Sequence, residues 1–322
     1  MTTPANAPQP SVRAPLLFVH AHPDDETLTT GITMARYARA GHPVHVLTCT
    51  LGEEGEVIPP DLVHLDVHHD DALGPHRREE LRGAMAVLGV THEVLGEDGN
   101  RMSVYRDSGM AGLDQPPGPD TFVRADPEVA AAMVADVVRR VRPVAVVTYD
   151  EHGGYRHPDH VQTHRVTCAA IASLPPDQRP LLYAVLTPRS WAREDRRWLA
   201  QNLPAHSSWT LPDPEGDYPP SVVADDRVTH EVVAPDLVPV QAQALRSHAT
   251  QVTVDGQTYA LSNDIAARLS GREGFALMDP ATGRLLVPLV APGGGDPAIA
   301  GAHAPSGAPA PRATDLTEGN PW

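Results

Sequence analysis

The sequence predicts an α/β fold, a mostly parallel sheet flanked by helices, on three observations. Short apolar runs at residues 15–19, 43–48 and 143–148 alternate with stretches of helical period. The run at 143–148 is apolar without alternation, as a strand covered on both faces requires. Two polar turns, each containing a proline, follow two of these runs, which is where sites form in open α/β sheets. Strands separated by helices imply right-handed crossovers, so the expected arrangement is Rossmann-like, with a smaller C-terminal extension.

Taken in order, residues 1–14 are rich in Pro, Ala and Thr and are expected to be disordered. The run at 15–19 is the first strand, and it must stop before Pro23, which has no N–H to give a ladder. A helix is expected over 27–40, with Leu28, Ile32 and Ala35 on one side, and a second strand over 43–48. Residues 51–72 form a charged loop broken by Gly52, Gly55 and Pro59-Pro60. A helix over 76–88 stops at Gly89, and a short strand covers 92–95. The polar loop at 96–125 has a length that is usually functional or disordered. Asp126-Pro127 opens a helix over 128–140 with a cap and a proline at the first helical position. The strand at 143–148, a loop at 149–157, a helix over 158–172 and a strand at 181–186 complete a catalytic domain at 15–187. Helices at 188–201 and 235–248 and a strand at 225–233 make up an extension at 188–290, expected to complete a substrate pocket. Gly, Pro and Ala dominate beyond it, and 291–322 reads as a flexible tail.

Of the 322 residues 41% are hydrophobic, enough for a substantial core. The formal net charge of −16, from 25 Lys and Arg against 41 Asp and Glu, argues against nucleic acid or an anionic membrane as a partner. Only Cys49 and Cys168 are present, so no disulfide framework is indicated. No apolar stretch is long enough to span a bilayer, and the N-terminus lacks the pattern of a signal peptide. A cytoplasmic setting follows as the expectation; the oligomeric state is not legible.

The first polar turn is His20-Ala21-His22-Pro23-Asp24-Asp25-Glu26. A helix N-terminus needs only one acidic residue, and buried carboxylates need partners, so this density points to a site. The second turn ends in Tyr155-Arg156-His157-Pro158-Asp159-His160. In a parallel sheet both turns share the carboxyl-terminal edge, so His22, Asp25 and His160 can meet. Two imidazoles and one carboxylate, with a position left for water, are a catalytic zinc ligand set. Asp24 is then free to act as general base. His157 is placed to donate to the leaving amine or steady an oxyanion, and Tyr155 to offer its hydroxyl to the same oxygen. Asp159 is placed to orient a ligand histidine. With His157 as acid, activity should be bell-shaped in pH. His64, His68 and His69 read as a solvated loop rather than a second metal site. Glu53, Glu54 and Glu56 read as mostly solvated, with one substrate contact among them. Gly153-Gly154 does not fit a nucleotide-binding loop.

The pairing of His-Pro-Asp-Asp-Glu at 22–26 with His-Pro-Asp-His at 157–160 resembles the zinc-dependent deacetylases that act on N-acetylglucosaminyl lipids and glycosides. The resemblance extends to residues 48–58, to Arg106-Asp107-Ser108-Gly109-Met110-Ala111-Gly112, to Val147-Thr148-Tyr149-Asp150 and to His248-Ala249-Thr250-Gln251-Val252. It runs from about residue 15 to residue 280, and these motifs look like the glucosaminyl-inositol branch of mycothiol biosynthesis. It implies His22, Asp25 and His160 as metal ligands, one Zn2+ per subunit, and Asp24 as base; Fe2+ suits the same His and carboxylate ligands nearly as well. His157 and Tyr155 match residues that help the carbonyl through its tetrahedral intermediate. Arg77 and Asp107 match positions that hold sugar and inositol hydroxyls, and Met110 and Glu56 fall in motifs expected to touch the same small-molecule glycoside. Two departures stand out: Arg156 where a glycine is expected, and the divergent stretch 60–76.

The resemblance therefore implies removal of an acetyl group from the 2-amino group of a glucosaminyl-inositol. A related amidase branch, which cuts S-conjugates of mycothiol, has a lysine after Asp-Asp-Glu. Here Thr27-Leu28-Thr29-Thr30 stands there. A non-catalytic sugar-binding module would be expected to have lost the base or a ligand, and Asp24, His22, Asp25 and His160 are all present.

Overall fold

Five parallel strands, β1 (Leu16–His20), β2 (Val44–Thr48), β3 (Thr91–Val94), β4 (Ala145–Thr148) and β5 (Leu181–Pro188), lie side by side in the order β3-β2-β1-β4-β5. The structure is a computed structural model and describes residues 13–110, 118–205, 207–286 and 312–317. The helices are α1 (Asp25–Arg39), α2 (Leu73–Leu88), α3 (Pro127–Val141), the single turn α4 (Gly153–Arg156), α5 (Pro158–Ala172), α6 (Arg189–Asn202) and α7 (Val238–Leu245). The chain moves from β1 outward to β3, then returns to the other side of β1 for β4. The strand order therefore reverses between β1 and β4, and the crevice at their carboxyl ends is the switch point where such sheets bind ligands.

The absence of alternation in the strands has a direct cause. Leu16, Phe18, Val46 and Val147 face a core layer under α1, α2 and α7, while Leu17, Val19, Leu47 and Val146 face one under α3 and α5. Helix ends follow local chemistry. Asp126 accepts the Glu128 N–H and Pro127 occupies the first helical position of α3. Gly89, at φ 74°, stops α2 in the left-handed conformation. α2 begins three residues before the expected start because the buried Leu73 joins its first turn.

Beyond β5 the chain extends the same sheet. β6 (Val222–Val223) pairs with β5, and β7 (His230–Val233) pairs antiparallel with a later strand. β8 (Thr253–Asp255), β9 (Thr258–Ala260) and β10 (Ala267–Arg268) form a separate three-stranded sheet. β11 (Arg272–Asp279) lies antiparallel between β5 and β12 (Arg284–Leu285) and also carries β7. The strand expected at 225–233 is shortened, because Asp225 accepts the Ser190 N–H at 3.0 Å and its segment forms a 3-10 turn, leaving only β7. The helix expected at 235–248 is confined to α7, after which the chain turns around His248.

The flexible readings of 1–14 and 291–322 fall mostly outside the described residues. Where they do not, Arg312–Thr317 departs from expectation. Ala313 bridges to His230, Arg312 pairs with Glu231 at 3.0 Å, and the Tyr37 hydroxyl accepts from the Leu316 N–H at 2.7 Å and donates to Asp315. Leu316 is fully buried in the core under α1, and that apolar burial is what offsets the ordering of the segment. Leu316→Ala should cost about 2–5 kcal/mol, read as a lower urea midpoint at unchanged m-value. No helix among the described residues is long and apolar enough to cross a membrane. Cys49 and Cys168 are both buried free thiols.

Candidate active site

The first turn folds around its own carboxylates. Asp25 Oδ2 accepts the His22 N–H at 3.0 Å, and Glu26 Oε2 accepts the Asp24 N–H at 3.0 Å. Asp24 itself takes φ 101° and ψ −37°, a conformation that L side chains rarely adopt. In the second turn Gly153, at φ 61°, lies so close to α5 that a Cβ would sit 2.6 Å from the Val161 nitrogen. Only glycine fits there, and its absent side chain lets the turn close onto α5. His157 then caps α5, its Nδ1 accepting the Asp159 N–H at 3.2 Å, and Pro158 occupies the first helical position. His160 follows in the first turn.

The two turns bring three ligand atoms together. His22 Nδ1 lies 3.4 Å from Asp25 Oδ2, His160 Nε2 lies 3.2 Å from Asp25 Oδ2, and the two imidazole nitrogens are 3.2 Å apart. Ligands about 2.0–2.1 Å from a tetrahedral ion stand about 3.3 Å from one another, so this triangle fits a divalent metal. The other nitrogen of His22, Nε2, faces Asp159 Oδ2 at 3.3 Å and Asp107 Oδ1 at 3.4 Å. His22, Asp107, His157 and Asp159 form an overlapping grouping, as do His22, His157 and His160. The carboxylates of Asp107 and Asp159 also hold backbone N–H groups, of Gly109 and Ser108, and sit on the far nitrogen of His22. They suit the role of orienting His22 and leaving its Nδ1 lone pair free.

Asp24 lies beside the triangle with its carboxylate outside it. Burial pushes its pKa up to about 7, against the opposing pull of Arg77, whose Nη2 lies 3.4 Å from Asp24 Oδ2. Arg77 is buried beneath the turn and donates to Gly52 O at 2.6 Å and Pro23 O at 2.5 Å. Gly52 makes the seat for it: a Cβ there would meet the guanidinium at 1.9 Å. Arg77 and Asp107, expected to touch substrate hydroxyls, are thus engaged with the turn and with His22. Glu56 is exposed, and Met110 is half exposed.

His157 is buried, and desolvation with the nearby His22 and His160 pushes its pKa down to about 3. Since its Nδ1 accepts the cap hydrogen bond, the neutral ring carries its proton on Nε2. The Tyr155 ring lies edge-on to His160 at 4.8 Å, with its hydroxyl pKa raised by burial. Arg156 has φ 75°, so the position where a glycine is expected is indeed one that favours glycine, and arginine there carries about 1–2 kcal/mol of backbone strain.

Several supporting residues escaped the sequence reading. The Tyr149 hydroxyl accepts the Ala21 N–H at 2.9 Å, and its ring stacks on His160 at 4.3 Å. Ser108 donates to Asp159. Glu53, expected to be solvated, is buried and accepts the Asp107 N–H at 2.9 Å. Glu26 and His248 are fully buried and joined at 3.1 Å. His64, His68 and His69 lie exposed in the 51–72 loop, with His69 bonded to Asp66.

Asp25, Tyr155 and His160 open into a cavity of about 280 Å³ whose far wall includes Trp191, Arg268, Arg272 and Glu273. A larger cavity, about 800 Å³, lies near the opposite edge of the sheet between Val144 and Leu181 and holds none of these groups.

Residues 17–171 match the family described as PIG-L, GlcNAc-PI de-N-acetylase. The chain is 45% identical over 277 residues to the 1D-myo-inositol 2-acetamido-2-deoxy-alpha-D-glucopyranoside deacetylase of Nocardiopsis dassonvillei, covering 84% of this chain and 95% of that one. It is 45% identical over 271 residues to the protein of the same name from Thermobifida fusca, covering 82% and 92%. Among solved structures, the N,N'-diacetylchitobiose deacetylase from Pyrococcus horikoshii shares the fold at a TM-score of 0.52 and 17% identity, over 86% of this chain and 88% of that one.

Proposed function

The chain belongs to the GlcNAc-PI de-N-acetylase family, and from that premise we propose that it hydrolyses the N-acetyl group of 1-O-(2-acetamido-2-deoxy-alpha-D-glucopyranosyl)-1D-myo-inositol in mycothiol biosynthesis. The observation that carries the reading is the triangle of His22 Nδ1, Asp25 Oδ2 and His160 Nε2, with sides of 3.2 to 3.4 Å, beside a carboxylate it does not use. These three would hold Zn2+, and Fe2+ suits the same ligands. Bound there, the ion supplies Lewis acidity toward a carbonyl and toward water.

The protein's own groups carry the protons. Asp24 takes one from the water that adds to the amide carbon and returns it to the nitrogen as the C–N bond breaks, leaving acetate and a free amine. The Nε2–H of His157 and the hydroxyl of Tyr155 donate to the oxygen that gains charge. Asp159 keeps His22 in register. Glu56 and Met110 border the sugar, and Arg77 and Asp107 act chiefly by holding the turn and His22. The segment beyond residue 187 supplies the far wall of the cavity.

Dialysis against a chelator should abolish turnover of the N-acetyl glycoside, and adding back Zn2+ or Fe2+ should restore it. Activity indifferent to chelation would overturn the metal assignment. Faster turnover of a mycothiol S-conjugate than of the N-acetyl glycoside would move the chain to the amidase branch.

A further inference from the structure

We propose that the turn at 248–252 is a positioning element for the general base, in which His248, acting through Glu26, holds Asp24 in its strained backbone conformation. The inference rests on the base assignment made for Asp24 above. A non-glycine residue at φ 101° stands about 1–3 kcal/mol above its relaxed state and persists only when its surroundings fix it. Arg77 holds the turn from below, on Pro23 O and the Asp24 carboxylate, and the contact on the Asp24 backbone N–H itself is Glu26 Oε2 at 3.0 Å. The second carboxylate oxygen of Glu26 takes the Thr27 hydroxyl and His248 Nε2, the latter at 3.1 Å and across 222 residues of sequence. Both Glu26 and His248 are fully buried, so Glu26 has no water to turn to if His248 is removed.

His248 is in turn held firmly. Its N–H donates to Leu245 O at 3.0 Å, and its carbonyl accepts the N–H groups of Gln251 and Val252. Two residues on, Thr250 gives both its N–H and its hydroxyl to Glu80 of α2, at 2.8 and 2.7 Å. The Thr250 carbonyl accepts the Ile58 N–H, and the Gln251 amide donates to Glu56 O. One short turn thus ties together α2, the loop carrying Glu56 and the partner of Asp24. Neither His248 nor Glu26 lines the cavity, so their loss should alter turnover and not substrate binding.

The test is a double-mutant cycle on the metal-loaded enzyme. His248→Ala should lower kcat by about 10- to 100-fold, the scale of a small misplacement of a reacting group, with KM and bound metal unchanged. His248→Gln, whose amide N–H can reach Glu26, should recover most of that loss. In an Asp24→Ala background, His248→Ala should cost less than about twofold, because the group it positions is gone. A wild-type kcat in His248→Ala, loss of metal, or an undiminished drop in the Asp24→Ala background would each overturn the inference. Should His248→Ala not fold, the cycle is run with His248→Asn, whose shorter side chain leaves Glu26 without its imidazole partner, and coupling or additivity decides as before. Full activity in Asp24→Ala alone overturns the base assignment instead, and is seen before the cycle is read.

Discussion

Asp24→Ala should lower kcat/KM by about 10²–10⁴-fold while leaving the bound metal in place, the range expected when a positioned proton acceptor is removed. That is roughly 3–5 kcal/mol of barrier. The metal is predicted to stay because the ligand triangle is made by His22, Asp25 and His160, with the Asp24 carboxylate beside it. The pH dependence gives a second, independent reading. Burial raises the Asp24 carboxyl to about 7 even with Arg77 beside it. A base works only when deprotonated, so wild-type kcat/KM should climb tenfold per pH unit below about 7 and level off above it. In Asp24→Ala that ascending limb should vanish. A variant with full activity, or with the limb still in place, would show that another group takes the proton.

How much of this was readable beforehand depends on the distance over which each feature is determined. The parallel strands and their helices follow from local period, and their ends from local caps such as Asp126-Pro127 and Gly89. The ligand triangle was readable because topology alone puts the ends of β1 and β4 on one edge, so two short motifs suffice. The antiparallel edge was not. β11 carries Glu273 and Gly274 near its start, and its buried carboxylate is tolerable only because the Ile32 and Thr33 N–H groups of α1 reach it at 2.8 Å. The same holds for Glu26, Tyr149 and His248, each of which has a partner more than a hundred residues away in sequence. The β8–β9 hairpin is different. Its Asp255-Gly256 pair, flanked by Val254 and Tyr259, is a local turn signal carried by the sequence alone. Arg156 lies between these cases: the sequence marks it as out of place, and only the backbone, at φ 75°, explains why.

His157→Ala should lower kcat by about 10²–10³-fold, the loss seen when one oxyanion donor is removed, and should leave the ascending limb near pH 7 where it is. This differs from the bell-shaped profile expected with His157 as a protonated acid. Burial and the flanking His22 and His160 hold its pKa at about 3, so it is neutral across the working range and no limb there belongs to it. Its Nδ1 is tied to the Asp159 N–H at 3.2 Å, which leaves Nε2–H as the donor. The same cap makes the alanine variant ambiguous on its own, since losing it should cost about 1 kcal/mol of stability. His157→Asn separates the two effects. Its side-chain oxygen can cap α5, restoring most of the melting temperature, but it is too short to replace the Nε2–H, so kcat should stay low. The stability of the apo-protein carries the same signature. A histidine whose folded pKa lies below its unfolded value gives stability that is present above about pH 6.5 and lost as pH falls toward 3. His157→Asn should flatten that part of the acid limb. If it instead restored turnover along with the melting temperature, His157 would be a cap and nothing more, and the oxyanion donor would have to be sought in Tyr155.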